Sequence, residues 1–428
     1  MKYVHYTIAF LLFIALPAFS QDHEGHDHHH EEEAEEHSVM PTAIQTGSGT
    51  SWMPGTTPSY MLMYQLGDKQ HLMLHGNIAL RYLMFDTPRA ENSFSAPNWF
   101  MAMTERILTE HDYLNLRVMV SLDRLTEGGD GYPLLLQTGE TWKAKPLVDK
   151  QHPHDVFSEI ALGLTHEFSE DWMLKLYAGL PGEPALGPSA FMHRPSAMSD
   201  PDAPLGHHWQ DATHISYGVL TAALSWRNLR IEGSLFNGTE PDEDRFGFDK
   251  PQFGSYSSRL SYNPTDELAF QVSGAKLKNP ERNGNNVTRI TASGMYTKKL
   301  GSASWWATTA VWGRNDEEHE GASQSTLLES QYTFDRHNIY GRLEIVEKFG
   351  EALAIENYDH AKFTSTSIAA GYSFNVFKFA GLDADLGAQL SYLFLPPTLK
   401  SLYGNSPYTA QVTLTIHPSL MDMMHLHR

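Results

Sequence analysis

Imidazole, thioether and carboxylate side chains crowd a few stretches of this 428-residue chain. The first holds His23, His26, His28, His29, His30 and His37, interleaved with Asp and Glu. Neutral imidazole ligates Cu(II), Ni(II) and Zn(II), and carboxylates add charge. A tract of this composition buries no core, so it is expected to be disordered and to capture metal without geometric selectivity. The alternative is a solvated acidic leader whose histidines are incidental. The second stretch places His71, Met73 and His75 two residues apart, with Asn77 and Arg81 in phase, while Leu72, Leu74, Ile78 and Leu80 take the other phase. Met101, Met103 and Met119 share a phase with Glu105, Asn115 and Arg117. Thioethers prefer Cu(I), and imidazole accepts either copper state. Methionine also fills gaps with no ligand role.

Two further stretches carry the densest polar motifs. DKQHPHD supplies Asp149, His152, His154 and Asp155. PGEPALGPSAFMHRPS supplies Glu183, Met192, His193 and Arg194, and PLGHHWQDATH supplies His207, His208, Asp211 and His214. Imidazoles and carboxylates this close offer two or three metal ligands from one segment. The same residues also build an ordered, hydrogen-bonded loop. No HExxH motif, cysteine or paired Gly-rich phosphate loop is present. A metal-bound water activated by Glu183 or Asp211 would make the cluster catalytic, which is the metalloenzyme alternative. At the C-terminal end, Met421, Met423, Met424, His425 and His427 form another soft-ligand group.

These residues need elements to position them, and the signal is alternation with period two. Leu229, Ile231 and Leu235 alternate with Arg230, Glu232 and Ser234; Leu114, Leu116 and Val118 alternate with Asn115, Arg117 and Met119. Ala384, Leu386, Ala388 and Leu390 alternate with Asp385 and Gln389, and Val412 and Leu414 with Gln411 and Thr413. The pattern predicts sixteen strands, near 70–85, 97–110, 112–123, 155–167, 171–180, 213–226, 228–237, 254–263, 266–276, 287–299, 302–314, 325–334, 336–347, 364–378, 383–395 and 407–417. Connections alternate between short ones, such as Arg227 and Pro264-Thr265, and long ones at 86–96, 124–154, 181–212, 238–253, 277–286, 315–324, 348–363 and 396–406. An even strand number, one apolar face and this rhythm predict an all-β transmembrane antiparallel barrel with short periplasmic turns and long outer loops. Both termini are then periplasmic. Glu232 and its neighbours on the polar face are expected to meet lumen water.

Composition agrees. Lys2 followed by an apolar run from Tyr6 to Phe19, with Ala18 and Ser20 placed for cleavage, reads as a signal peptide over 1–21. A disordered leader is expected over 22–58, the barrel over 59–417 and a Met/His-containing tail over 418–428. No later apolar run is long enough to cross a bilayer as a helix. There is no cysteine, so disulfides hold nothing together. A net charge of -20 argues against nucleic acid as a partner and allows cationic ones.

The runs PGEPALGPSAFMHR and PLGHHWQDATHI, with LLLQTGET and QHPHD, resemble a family of bacterial outer-membrane β-barrel proteins associated with copper and heavy-metal resistance regions. The Met/His-rich leader before a barrel is also similar in plan to copper-resistance outer-membrane proteins. The resemblance carries no established activity; joined with the histidine and methionine clusters, it leads to the expectation of a barrel that binds or passes transition-metal ions in resistance or efflux, with copper favoured over other divalent metals, no organic cofactor, and contact with lipid and with periplasmic metal-handling proteins. The rival reading is a general porin-like channel whose histidines are incidental.

Overall fold

The computed structural model describes residues 46–211, 215–282 and 284–421. Twenty strands lie in it: β1 (Leu62–Gln65), β2 (Gln70–Phe85), β3 (Ser93–Ser95), β4 (Asn98–Ile107), β5 (Asp112–Val120), β6 (Tyr132–Trp142), β7 (Lys145–Gln151), β8 (Phe157–Glu167), β9 (Trp172–Gly182), β10 (Ser216–Trp226), β11 (Leu229–Phe236), β12 (Ser255–Thr265), β13 (Leu268–Leu277), β14 (Val287–Gly301), β15 (Ser304–Glu317), β16 (Gly321–Phe334), β17 (His337–Phe349), β18 (Lys362–Phe379), β19 (Leu382–Phe394) and β20 (Tyr408–Pro418). Sixteen of them form the wall. Each pairs antiparallel with its neighbour, and β20 closes the cylinder on β2 through Ile416↔Ile78 to Thr409↔Phe85. β1 and β3 add short pairings to β2, and β6 and β7 form a separate hairpin. The product is a closed antiparallel barrel of sixteen strands, which leaves no unpaired sheet edge.

Register carries the alternation around the wall. Leu224 faces Ile231 and Ala223 faces Glu232 across β10 and β11. Ile231 is 60% exposed and Glu232 is 2% exposed, so the apolar phase points outward and the polar phase inward. Outward apolar side chains recur on successive strands, as at Leu116, Leu164, Leu176, Leu260, Val272 and Leu328. Such a belt is unfavourable against water and suited to acyl chains. Exposed aromatic residues ring the short-turn end, at Phe168, Trp172, Trp226, Tyr262, Trp306 and Phe379. Amphipathic rings favour the depth of lipid headgroups. Phe94, Tyr256, Phe394 and Tyr408 occupy the long-loop end.

Among the described residues, two segments cross the interior, and the β6–β7 hairpin packs into it through Tyr132, Leu135 and Leu136. Residues 46–60 are held by arginines of the wall: Arg117 donates to Thr46 Oγ1 at 2.6 Å and Gly49 O at 2.8 Å, and Arg230 stacks over Trp52. Thr56 reaches the short-turn end, where its hydroxyl donates to Thr297 O. Much of the expected leader between 46 and 58 is therefore wall-bound chain rather than a free arm. The second segment, 183–211, leaves β9 and crosses the lumen to β16 and β17 before returning to β10.

Two expected loops differ. Between β15 and β16 the strands run further than their apolar alternation suggests, and 315–324 shrinks to a turn at 318–320. The 124–154 connection contains the β6–β7 hairpin. The signal peptide, the histidines from His23 to His37, His214, and Met423 to His427 lie outside the described residues.

Candidate functional site: the occupied lumen

The residues with chemical potential meet inside the barrel in two places. At the long-loop end, the end of β7, the 183–211 segment and the loop before β12 converge. His152 lies with ring centroids 5.8 Å from His154, 6.4 Å from His207 and 5.8 Å from His208, and His207 and His208 are 4.3 Å apart. A four-residue helix, His207–Gln210, presents the last pair. The close approach of Gly139 to the His208 ring, where a side-chain carbon would sit 2.6 Å from Cε1, requires glycine there.

Each imidazole has a protein contact. His154 Nδ1 donates to Asp123 at 2.7 Å, His152 Nε2 lies 3.2 Å from Glu140, and His208 Nδ1 lies 3.2 Å from Glu240. His207 Nδ1 donates to Pro204 O at 2.6 Å. Arg245 joins Glu140 to Asp155, and the Tyr217 hydroxyl also donates to Asp155 at 2.7 Å. Burial pushes His152 and His207 well below the usual imidazole value and His208 down to about 3. Burial also raises Glu240 to about 7, and because the His208 ring is held neutral its contact with Glu240 is not an ion pair. His154 is the exception: burial opposes its charge, but the hydrogen bond and charge of Asp123 outweigh it and raise its value.

The geometry is that of a hydrogen-bonded plug. Among the described residues, no three His, Asp or Glu side chains stand where one metal ion could bind them together. Of the residues expected to form a metal centre, His152, His154, His207 and His208 meet in this plug, while Asp155 and Asp211 are held by other partners. Asp155 is engaged by Arg245 and Tyr217, and Asp211 accepts from Arg194 at 3.2 Å. Buried charges are stable when paired in this way. Burial raises Asp211 to about 6 against the opposing pull of Arg194. Glu183 lies apart, beside Gly49, where burial raises it to about 8.

The second place is the wall of β2, β4 and β5. Met73, Met101, Met103 and Met119 point inward as the alternation requires, and His75 stands opposite Met101. His71 lies on the same face of β2, two residues before Met73. His193 belongs here rather than with the other loop histidines, its ring 4.9 Å from that of Trp99.

The arginines that hold the 183–211 segment were not singled out as a set by sequence reasoning. Arg194 donates to Glu329 at 2.8 Å, Arg342 to Glu329 at 3.1 Å, and Arg342 lies 3.2 Å from Asp200. Arg81 bonds Asp202 at 2.5 Å. The available signal was the recurrence of arginine in the polar phase of successive strands; their partners lie too far along the chain to be read locally.

This architecture matches solved barrels. An anion-selective porin from Comamonas acidovorans aligns with a TM-score of 0.50 at 10% identity, over 82% of this chain and 100% of that one. The Salmonella typhi OmpF complex with daunomycin aligns with a TM-score of 0.50 at 12% identity, over 83% and 100%. The fold is that of the bacterial porins. At this identity the likeness is one of fold, and neither match connects the chain with copper or heavy-metal resistance. No protein-family model and no curated protein matches the sequence.

Proposed function

We propose that the protein is a porin-like channel of the bacterial outer membrane that passes small solutes through a lumen narrowed by its own chain. The observation that carries this reading is the closed sixteen-strand wall with an apolar exterior and a charged interior. Such a wall is stable in hydrocarbon and gives water and ions a polar path. The short turns face the periplasm in this reading, and the long connections, with the hairpin and the histidine plug, face outward. The segments 46–60 and 183–211 exclude large solutes. Metal efflux through the loop histidines has less support, because those rings are engaged with carboxylates and backbone.

Purified protein in planar lipid bilayers should give discrete conductance steps, smaller than those of an unobstructed sixteen-strand barrel. Liposomes carrying it should swell with small sugars and exclude larger ones. A membrane-inserted, correctly assembled barrel with no conductance and no solute flux would reject the channel reading.

A further inference from the structure

The methionine chamber asks for a ligand that the channel reading does not supply. Met61, Met73, Met101, Met103 and Met119 form one buried cluster, and Met192 and Met421 pack against it. The register explains the convergence: Met73 faces Met103, His75 faces Met101, and Met101 faces Met119 across adjacent strands. Opposed side chains on one face of a sheet lie about 5 Å apart at Cβ. Met61 comes from the N-terminal segment and Met192 from the lumen segment, so several independent stretches of chain bring sulfur to one place.

Two imidazoles complete the set. The Nε2 atoms of His75 and His193 are buried and have no hydrogen-bond partner, and both rings line the same cavity of about 170 Å³ as Met101 and Met103. His71 flanks the chamber with a buried Nδ1 that also has no partner. Buried nitrogen without a partner is costly, and the cost is relieved when a ligand supplies the missing interaction. Space filling alone accounts for the methionines but not for these nitrogens. Elsewhere the inner face of the wall mixes Arg, Glu, Gln, Ser and Thr with apolar residues such as Leu277, Val311 and Leu327.

We propose that this chamber is a binding site for a soft monovalent cation, Cu(I) or its analogue Ag(I), held by methionine sulfurs of β2 and β4 together with His75 and His193. Thioether and imidazole are the ligand types such ions prefer. The charge of the ion follows from the surroundings. The ligands are neutral, and the charged groups around the cavity are already engaged: Asp123 with His154, Asp200 with Arg342, Arg194 with Glu329, and the nearby Arg117 guanidinium with Asn115 and the 46–49 backbone. A divalent ion would enter such a site with little compensating charge.

The site goes beyond the channel reading, and its test is separate from conductance. The full chain, purified in detergent, is titrated anaerobically with Ag(I), which needs no reductant. It is compared with a variant carrying Met73→Leu, Met101→Leu and Met103→Leu. Leucine keeps the apolar volume, and heat-modifiable mobility on gels verifies assembly. Metal held by the histidines near the N-terminus is common to both proteins and cancels in the comparison. Wild type should retain one equivalent that the variant loses, and X-ray absorption should show sulfur and nitrogen around it. Equal binding by the two proteins overturns the site, as does displacement of that equivalent by equimolar Zn(II). If the triple variant does not assemble, His193→Gln replaces it; an unchanged affinity and an absorption spectrum with undiminished nitrogen scattering would overturn the proposal equally.

Discussion

At the scale of single residues, the lumen shows how environment overrides side-chain type. Glu232, in the water-facing phase of its strand, is not solvated: it is 2% exposed and accepts from Arg259 at 2.7 Å. His208, a residue whose ordinary value lies near neutrality, is kept uncharged by burial with a pKa of about 3. This has a defined consequence for stability. Above pH 6.5 the ring is neutral in folded and unfolded chains and contributes nothing to pH dependence. Below it the unfolded chain takes up a proton that the folded chain refuses, so this ring removes about 1.4 kcal/mol of stability per pH unit until the pH approaches 3. Glu183 and Asp211 act in the opposite sense. Their carboxyls, raised to about 8 and 6, protonate first in the folded state, so stability rises as pH falls from those values toward the ordinary carboxylate range. The contribution of His208 is isolated by difference. His208→Gln should gain stability relative to wild type by about 1.4 kcal/mol for each pH unit between 6.5 and 3, measured by urea unfolding in lipid vesicles at several pH values. A pH-independent difference would show that the ring is protonated or hydrated in the folded barrel.

At the scale of elements, the 183–211 segment is a loop only by connectivity. Arg194 and Arg342 share Glu329, and Ser196 also donates to it, at 2.9 Å. The Trp209 indole donates to Ser323 on β16 at 2.8 Å. Removing Arg194 takes the guanidinium from Asp211 and leaves Glu329 to Arg342 and Ser196, and breaking a buried pair in this way costs about 3–5 kcal/mol. Arg194→Ala should therefore loosen this segment while the backbone hydrogen bonds of the wall remain. Two readouts follow: a lower urea midpoint, and a larger or noisier single-channel conductance in planar bilayers, with unchanged heat-modifiable mobility. Unchanged stability and conductance would mean that the segment is anchored chiefly by the Arg342 and Arg81 contacts.

At the scale of the whole molecule, strand connectivity places one set of uniformly short turns at one end and the long connections, with the short 318–320 turn among them, at the other. The functional reading puts the short turns in the periplasm. Glu170 and Glu356 are both exposed, one in the turn between β8 and β9 and the other in the connection between β17 and β18. The chain has no native cysteine to interfere. On intact cells, Glu356→Cys should react with a membrane-impermeant thiol reagent and Glu170→Cys should react only after lysis. The reverse pattern would invert the barrel and place the histidine plug in the periplasm.

Sequence alone determined the wall. A strand's two faces see different solvents, so period two writes lipid face and lumen face directly into residue order, and β2 runs over the very residues, 70–85, that the alternation marks. The inward direction of Met73, Met101 and Arg117 was legible for the same reason. The hairpin from Tyr132 to Gln151 was not, because its ladder is interrupted by register shifts and by left-handed backbone at Leu136 and Glu140, which scramble the period. Local pattern also marked 183–211 only as a polar connection. Its course through the lumen is decided by ion pairs such as Arg194 with Glu329, 135 residues apart. Proximity likewise separated the histidines into two sets, sending His207 and His208 to the plug and His193 to the methionines. Periodicity reports which solvent a residue faces; which residues share a buried site depends on long-range pairing of charges, and that exists only once the barrel has closed.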